Sequence, residues 1–424
     1  MSKPLLGCFA DDFTGATDLA STLVQGGMRS VQMIGVPDDS SVPDADAIII
    51  ALKTRTVAPE VAVQESVAAL KWLEAAGCEQ FFFKYCSTFD STANGNIGPV
   101  ADALTKELGQ ALVIACPAFP ANGRTIYMGH LFVGDVLLSD SGMRNHPLTP
   151  MRDSNLVRVL QSQTARGVGL VTLDTVLKGP EAVSSALWAL QSEKKGYAIV
   201  DAVSERDLVN IGAALADHRL VTGGSGVAMG LPANFISAGR LSANTATAGD
   251  LPAVGGHSVV LSGSCSVATN AQVAYWKKSR PAFLLDVLAL ADGDAQIDEA
   301  LDWAGRLISD EPVLIYGSAT PDIVRRTQQK LGVERAGSLM ERALAKIGRA
   351  LVENHGVRKI VVAGGETSGA VVKALDVKSL RIGDLIDPGV PWTISSGMTD
   401  LALALKSGNF GSEDFFEKAL AKAP

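Results

Sequence analysis

Short apolar segments alternate with segments of helical periodicity along most of the chain. The apolar segment PLLGCFA, which begins at Pro4, precedes a pattern with the i, i+3, i+4, i+7, i+8 spacing of a helix: Ala16, Leu19, Ala20, Leu23 and Val24. A second helix is predicted from Val63 to Leu73, ended by Gly77. Further apolar segments have the length of strands: SVQMIGV, ADAIIIAL, QFFFKY, ALVIAC, GVGLVTL, YAIVDAV and RLVTGG. Strands buried on both faces and separated by helices form parallel sheets, so the pattern predicts an α/β fold with flanking helices.

The alternation stops and then restarts in the second half of the chain. The stretch PANFISAGRLSANTATAGDLPAVGG has little periodic apolar content and is typical of a linker. After it we expect a long helix from about Gly337 to His355 and five more strands: HSVVLSGS, AFLLDV, PVLIYGS, RKIVVAGGE and LALALKSG. Because one core rarely exceeds about 300 residues, the 424 residues predict two domains with a cleft between them: 1–240 and 257–424, joined by a linker at 241–256.

Composition and charge exclude some classes of partner. Hydrophobic residues make up 47% and charged residues 19%, which predicts a globular protein. The net charge of −8 and the lack of a basic run argue against nucleic acid or an anionic membrane as a partner. The five cysteines are scattered, no signal peptide is evident, and no apolar run approaches a membrane span of about 18 residues. We therefore expect a cytoplasmic protein with reduced cysteines.

Two adjacent aspartates, Asp11 and Asp12, follow the first predicted strand. Ligands of open α/β sheets collect at the carboxyl ends of strands. One aspartate can cap the following helix, but this explanation leaves the second unexplained. We interpret the pair as groups that hold a polyol and accept a proton from its hydroxyl.

Cations and hydroxyls follow the next strands. Arg55 comes after the third strand and is a candidate clamp for a substrate carboxylate, since guanidinium binds carboxylate in a bidentate manner. Lys84 ends an aromatic strand and leads into a polar loop that predicts a pocket for a hydroxylated acid: Ser87, Thr88, Asp90, Ser91, Thr92, Asn94 and Asn96. Arg124 is a further candidate anion contact, although turn chemistry explains PAFPANGRT equally well.

Three glycine turns in the second half each follow a predicted strand. They are Ser262-Gly263-Ser264, Gly364-Gly365-Glu366-Thr367 and Lys406-Ser407-Gly408-Asn409. Such turns present backbone N–H groups and predict a phosphate-binding site. Glu366 is unusual in a phosphate loop unless it reaches Mg²⁺, directly or through water, or a ribose hydroxyl.

Several signatures are absent from the sequence. It contains no G-x-x-x-x-G-K-[ST], no H-E-x-x-H and no G-x-S-x-G, and its five histidines are dispersed, which argues against a zinc site. The glycines 224, 226 and 230 are one residue out of step with G-x-G-x-x-G, so a nicotinamide oxidoreductase is a weakly supported alternative. A sensor that binds a sugar acid without catalysing a reaction is a second alternative.

Seven segments together resemble the four-carbon acid sugar kinase family, in its 3-oxo-tetronate branch. They are ADDFTGATDLA, KYCSTFDSTANGNIGP, HPLTPMRDSNL, VTGGSG, LSGSCS, VAGGETSG and LALKSGNFG. The resemblance runs from Cys8 to Gly411. In the wider family the lysine segment reads K-x-D-S-T-L-R-G-N. The form KYCSTFDSTANGN departs from this pattern and matches the 3-oxo-tetronate branch, which narrows the substrate.

The resemblance implies an N-terminal domain that binds the sugar acid and a C-terminal domain that binds ATP. Such enzymes transfer the γ-phosphoryl group of ATP to the terminal hydroxyl of a four-carbon sugar acid, here 3-oxo-tetronate, with D-threonate or D-erythronate as alternatives. ATP contacts are implied for Ser262, Ser264, Gly364, Gly365, Glu366, Thr367 and Gly408. Substrate contacts are implied for Asp11, Asp12, Arg55, Lys84 and Asp90.

A mechanism follows for these groups. We expect Asp12 to accept the proton of the attacking hydroxyl while Asp11 orients the substrate, although the two could exchange roles. Arg55 and Lys84 would hold the substrate carboxylate or the migrating phosphoryl group. Mg²⁺ would bridge the ATP phosphates. A homodimer is compatible with the sequence.

Overall fold

The computed structural model of the protein describes residues 3–146, 148–242, 247–396 and 400–424. Backbone contacts divide the chain into two compact units, Met1–Gly249 and Asp250–Pro424. Residues 243–246 of the predicted linker lie outside the described residues. We retain 241–256 as the proposed linker.

The first unit contains an eight-stranded sheet and a small three-stranded sheet. The strands are β1 (Leu6–Ala10), β2 (Ser30–Ile34), β3 (Ala47–Ala51), β4 (Gln80–Lys84), β5 (Val113–Cys116), β6 (Arg124–Tyr127), β7 (His130–Val133), β8 (Val136–Leu137), β9 (Gly167–Val171), β10 (Lys195–Val200) and β11 (Leu220–Gly223). The large sheet has the order β2-β3-β1-β4-β11-β5-β10-β9, and all its neighbouring strands are parallel. The antiparallel sheet β6-β7-β8 was not predicted from the sequence.

The helices of the first unit begin and end where local chemistry requires. They are α1 (Phe13–Gln25), α2 (Pro59–Ala76), α3 (Ile97–Leu108), α4 (Leu156–Gln161), α5 (Leu173–Val176), α6 (Pro180–Ser192), α7 (Glu205–Ala214) and α8 (Leu231–Ser237). Asp12 caps the start of α1, and Gly77 ends α2 in the left-handed conformation that glycine adopts without strain. Phe9, Ile49 and Phe82, in three adjacent strands, are fully buried, as the continuous apolar segments predicted.

The second unit contains a seven-stranded sheet. Its strands are β12 (His257–Ser262), β13 (Ala282–Leu284), β14 (Val313–Tyr316), β15 (Val357–Ala363), β16 (Ser379–Asp387), β17 (Val390–Ser396) and β18 (Ala402–Lys406). The order is β13-β14-β12-β15-β18-β17-β16, parallel as far as β18 and antiparallel beyond it. The prediction of mainly parallel sheets is confirmed. The prediction of only a helix between β15 and β18 was wrong, because the β16–β17 hairpin also lies there.

The helices of the second unit include the long one that was predicted. They are α9 (Val267–Trp276), α10 (Val287–Asp292), α11 (Ala295–Leu307), α12 (Pro321–Leu331), α13 (Val333–Asn354), α14 (Gly365–Ala374) and α15 (Phe415–Ala421). The long helix α13 begins four residues before the predicted Gly337, directly after Gly332, which has a φ of 82°. In the described ranges, no helix combines the length and the apolar character needed to cross a membrane.

Candidate active site

Three neighbouring strands of the first unit bring the predicted substrate residues to one edge of its sheet. The order β3-β1-β4 places the carboxyl ends of these strands side by side. The backbone N–H of Asp11 donates to the carbonyl of Lys84 at 3.0 Å, and that of Thr54 donates to the carbonyl of Asp11, also at 3.0 Å. The segments that carry Asp11, Arg55 and Lys84 are therefore held together by backbone hydrogen bonds.

Arg55 is the centre of a cluster of carboxylates that we call the Arg55 cluster: Asp11, Asp12, Asp90 and Arg55. Its Nε and Nη2 donate to the two oxygens of Asp11 at 3.0 and 2.8 Å. Nη2 also forms an ion pair with Asp12 at 2.8 Å, while Nη1 lies 3.9 Å from Asp90. Asp11 thus occupies the Nε–Nη2 edge of the guanidinium, and the Nη1 end faces Asp90 at the longer distance.

The two adjacent aspartates differ in exposure and partners. The side chain of Asp11 is 8% exposed, and that of Asp12 is 33% exposed. Burial raises the pKa of Asp11, and the neighbouring Arg55 opposes this shift. Asp12 accepts the N–H of Gly15 at 3.0 Å as the helix cap that the sequence allowed. Asp11 is thus explained by its ion pair and Asp12 by its cap, and Asp12 is the more exposed of the two carboxylates.

Lys84 is buried against the start of α1. Its ammonium donates to the carbonyl of Tyr85 at 2.9 Å. A Cβ at Gly15 would lie 2.9 Å from the Lys84 ammonium and would collide with the Asp12 carboxylate, which explains the glycine of the ADDFTG segment. This position makes Lys84 a counter-charge to Asp11 and to Asp18. Its direct contact with substrate stays a prediction.

Asp18 was not among the predicted site residues. Its carboxylate accepts the hydroxyl of Ser225 at 2.5 Å, and burial raises its pKa while Lys84 opposes the shift. Asp18 lies in α1 between the buried Thr17 and Leu19. A charge in the middle of such a helix was the available signal, but its partner is 207 residues away in the chain.

The hydroxyl-rich loop after Lys84 bonds largely to the protein itself. Thr88 donates to Asp90 at 2.5 Å, and the amide of Gln163 donates to the Ser91 hydroxyl at 2.9 Å. Phe89 is buried with a φ of 51°, an unusual conformation for an aromatic residue, and such outliers cluster at functional sites. Thr88 thus helps to place Asp90, and the pocket for a hydroxylated acid in this loop stays a prediction.

Asn96 holds the segment that carries Arg55. Its side-chain amide donates to the carbonyls of Thr54 at 2.6 Å, Val57 at 3.0 Å and Arg55 at 3.4 Å.

Arg124 lies on β6 of the small sheet, where its guanidinium donates to the carbonyl of Asn122. Its contact with an anion stays a prediction.

The three glycine turns of the second unit also meet, because β12, β15 and β18 are neighbours. The N–H groups of Gly263 and Ser264 both donate to the carbonyl of Ala363, at 3.0 and 3.1 Å, and that of Gly364 donates to the carbonyl of Lys406 at 2.9 Å. These amides hold the turns to each other. They do not provide the free donors that we expected for phosphate.

Free donors are instead expected at the start of α14. Gly364 precedes this helix with a φ of 126°, and no side chain caps it. The N–H groups of residues 365–367 have no acceptor within the helix, and the helix dipole favours an anion there. A Cβ at Gly364 would lie 3.0 Å from the Thr367 hydroxyl and 3.2 Å from the Ser264 nitrogen. The start of α14 is thus uncapped and tightly packed, and phosphate binding there stays a prediction.

Ser262 and Glu366 differ in accessibility. Ser262 is fully buried, and its hydroxyl shares a hydrogen bond with Ser318 at 2.7 Å, so its side chain packs the turn. Glu366 is exposed in the first turn of α14. Within the described ranges, no group of three or more acidic, cysteine or histidine side chains could hold a metal. One carboxylate fits Mg²⁺ bound chiefly by nucleotide phosphates, which is its usual coordination in kinases.

Comparison with known proteins finds two family models that match different parts of the chain. A family model of a sugar-binding N-terminal domain matches residues 6–231, and a model of a nucleotide-binding C-terminal domain matches residues 259–416. The chain therefore belongs to the four-carbon acid sugar kinase family, whose members join these two domains.

Individual relatives place the chain within the family. It is 61% identical over 419 residues to a 3-oxo-tetronate kinase of Burkholderia multivorans, covering 99% of this chain and 97% of that protein. A 3-oxo-tetronate kinase of Pseudomonas fluorescens is 59% identical over 423 residues, with the same coverage. The crystal structure of a Haemophilus influenzae protein matches with a TM-score of 0.86 and 45% identity, covering 98% of this chain and 99% of that chain.

Proposed function

We propose that the protein is an ATP-dependent kinase that phosphorylates the C4 hydroxyl of 3-oxo-tetronate. The observation that carries this proposal is the identity of 61% with a 3-oxo-tetronate kinase over 99% of the chain. The geometry supports it, because Asp12 is an accessible carboxylate beside Arg55 in the sugar-binding domain. The uncapped start of α14 supplies phosphate donors in the nucleotide-binding domain.

In the proposed reaction the C4 oxygen forms a bond to the γ-phosphorus of ATP. The bond from that phosphorus to the bridging oxygen breaks, ADP leaves, and the hydroxyl proton passes to Asp12. Asp11 orients the sugar acid through Arg55, whose Nη1 binds the carboxylate of the sugar acid. The amides of residues 365–367 bind nucleotide phosphate. Mg²⁺, when bound, neutralises phosphate charge, and Glu366 is the residue that would hold it directly or through water.

A coupled ADP-release assay tests this function. The panel comprises the stereoisomers of 3-oxo-tetronate, D-threonate and D-erythronate. We expect the highest kcat/KM with a 3-oxo-tetronate. A preference for threonate or erythronate would reassign the substrate within the kinase class. If the protein bound a sugar acid but released no ADP from ATP with any compound of the panel, a role as a sensor would be supported instead.

Asn96→Ala is expected to raise KM for the sugar acid about tenfold while KM for ATP stays unchanged. The substitution removes the donors that hold residues 54–57, so Arg55 loses its defined position, and small displacements of binding groups are costly. Steady-state kinetics with each substrate varied measures the effect. Asn234→Ala is the control, because the Asn234 amide donates to the carbonyl of Gly212 in the same unit. Equal changes in both KM values would contradict a role in positioning Arg55.

Two further proposals concern the cellular location and the oligomeric state of the protein. The five cysteines are free, which supports a cytoplasmic location. The homodimer stays a prediction, which a sedimentation measurement of the purified protein would decide.

A further inference from the structure

A buried lysine lies directly behind the third glycine turn. Lys406, the last residue of β18, is 1% exposed. Its ammonium donates to the Thr269 hydroxyl and the Ser407 carbonyl at 3.0 Å each, and to the Gly408 carbonyl at 3.1 Å. All three acceptors are neutral, and burial lowers the pKa of Lys406 to about 7. Burying an ammonium group among neutral groups costs free energy, so we looked for a function that Lys406 could serve in this turn.

The ammonium group donates to the carbonyls of two successive peptide units. The Gly408 carbonyl accepts two further hydrogen bonds, from the hydroxyls of Ser266 at 2.5 Å and Thr269 at 2.7 Å. Both the Ser407 and the Gly408 carbonyls are thus turned toward Lys406. Every peptide bond in the described ranges is trans, so the N–H of each unit points opposite to its carbonyl. The N–H groups of Gly408 and Asn409 therefore point away from Lys406, on the other side of the turn.

Successive N–H groups directed to the same side form a nest, which binds anions. The N–H of Phe410 donates to the Ser407 carbonyl at 3.2 Å and closes the turn around the two amides. A Cβ at Gly408 would collide with the Ser264 hydroxyl, and one at Gly364 would lie 3.4 Å from the Ser264 Cβ. Ser264 therefore adjoins both the nest and the start of α14.

We propose that Lys406 is a positioning residue that builds a second phosphate site from the amides of Gly408 and Asn409, beside the site at the start of α14. The two sites would bind different phosphate groups of one nucleotide. This inference rests on the proposed nucleotide-binding function. Lys406 itself does not touch the nucleotide, because the peptide units that it orients lie between them.

The test compares binding of ADP and adenosine to the full-length protein by isothermal titration calorimetry. Lys406→Met keeps most of the side-chain length and removes the three donors. We expect it to weaken ADP binding about tenfold or more, as for the loss of a charge-assisted hydrogen bond. Adenosine affinity should stay within about twofold, because the nest is assigned to phosphate. Lys359→Met is the matched control, since the Lys359 ammonium also donates to a backbone carbonyl, that of Val254.

A second pair of variants covers failure of Lys406→Met to fold. Thr269→Val removes one donor to the Gly408 carbonyl and one acceptor of Lys406, whereas Thr269→Ser keeps the hydroxyl. We expect Thr269→Val to weaken the binding of ADP but not of adenosine, and Thr269→Ser to bind ADP like the wild type. Unchanged ADP affinity, or equal losses for ADP and adenosine, would overturn the proposal while leaving the kinase function intact. A wild-type protein that binds no ADP would overturn both.

Discussion

Asp12→Asn is expected to lower kcat by about 10²- to 10⁴-fold, the range typical of general-base catalysis. Asparagine caps helices about as well as aspartate, so the bond from the Gly15 N–H to residue 12 can be kept. The substitution therefore removes the proposed proton acceptor while α1 keeps its start. KM for ATP should change little, because Asp12 belongs to the sugar-binding domain. Steady-state ADP release with each substrate varied measures both quantities.

Asp286→Asn is the matched control for this variant. Asp286 caps α10 by accepting the N–H of Leu288 at 2.9 Å, so the same chemical change is made at a helix cap in the other unit. Its kcat should equal that of the wild type. Near-normal turnover of Asp12→Asn would remove Asp12 from the mechanism. If Asp11→Asn then showed the large loss, the two aspartates would have exchanged the roles that we assign.

Gly364→Val is expected to weaken nucleotide binding about ten- to hundredfold. Gly364 has a φ of 126° and a ψ of 131°, where a side chain costs on the order of 1–3 kcal/mol of backbone strain. The new Cβ would also press on Thr367 and on the Ser264 nitrogen, which would displace the first turn of α14 and its amides. Calorimetric titration with ADP measures the effect, and affinity for the sugar acid should not change.

Gly337→Val controls for adding a valine side chain to the same unit. A Cβ at Gly337, in α13, would meet only the Glu341 carboxylate, at 3.6 Å. This variant should bind ADP like the wild type. An unchanged nucleotide affinity in Gly364→Val would refute the assignment of the α14 start as a phosphate site.

Elements with a signal in adjacent residues were predicted from the sequence, and features that depend on distant residues were not. The buried β1 and the helical spacing after it lie in adjacent residues, so β1 and α1 were predicted directly. The β16–β17 hairpin and the small sheet β6-β7-β8 were missed because their sequences, such as SLRIGDLID and RTIY, lack the continuous apolar runs that marked the buried parallel strands. The three glycine turns were found, but the engagement of three of their amides with Ala363 and Lys406 was not.

The sequence by itself determined the alternation of strands and helices, the acidic pair at one strand end and the glycine turns at three others. These features follow from periodicity and from the conformations that single residues allow. Only the tertiary structure decided that Arg55 pairs with Asp11, 44 residues away, and that Asp12 is the more exposed of the two aspartates. It also decided that the Lys406 ammonium donates to two backbone carbonyls. The physical reason is that the direction of a hydrogen bond and the exposure of a charge depend on which distant segments pack together.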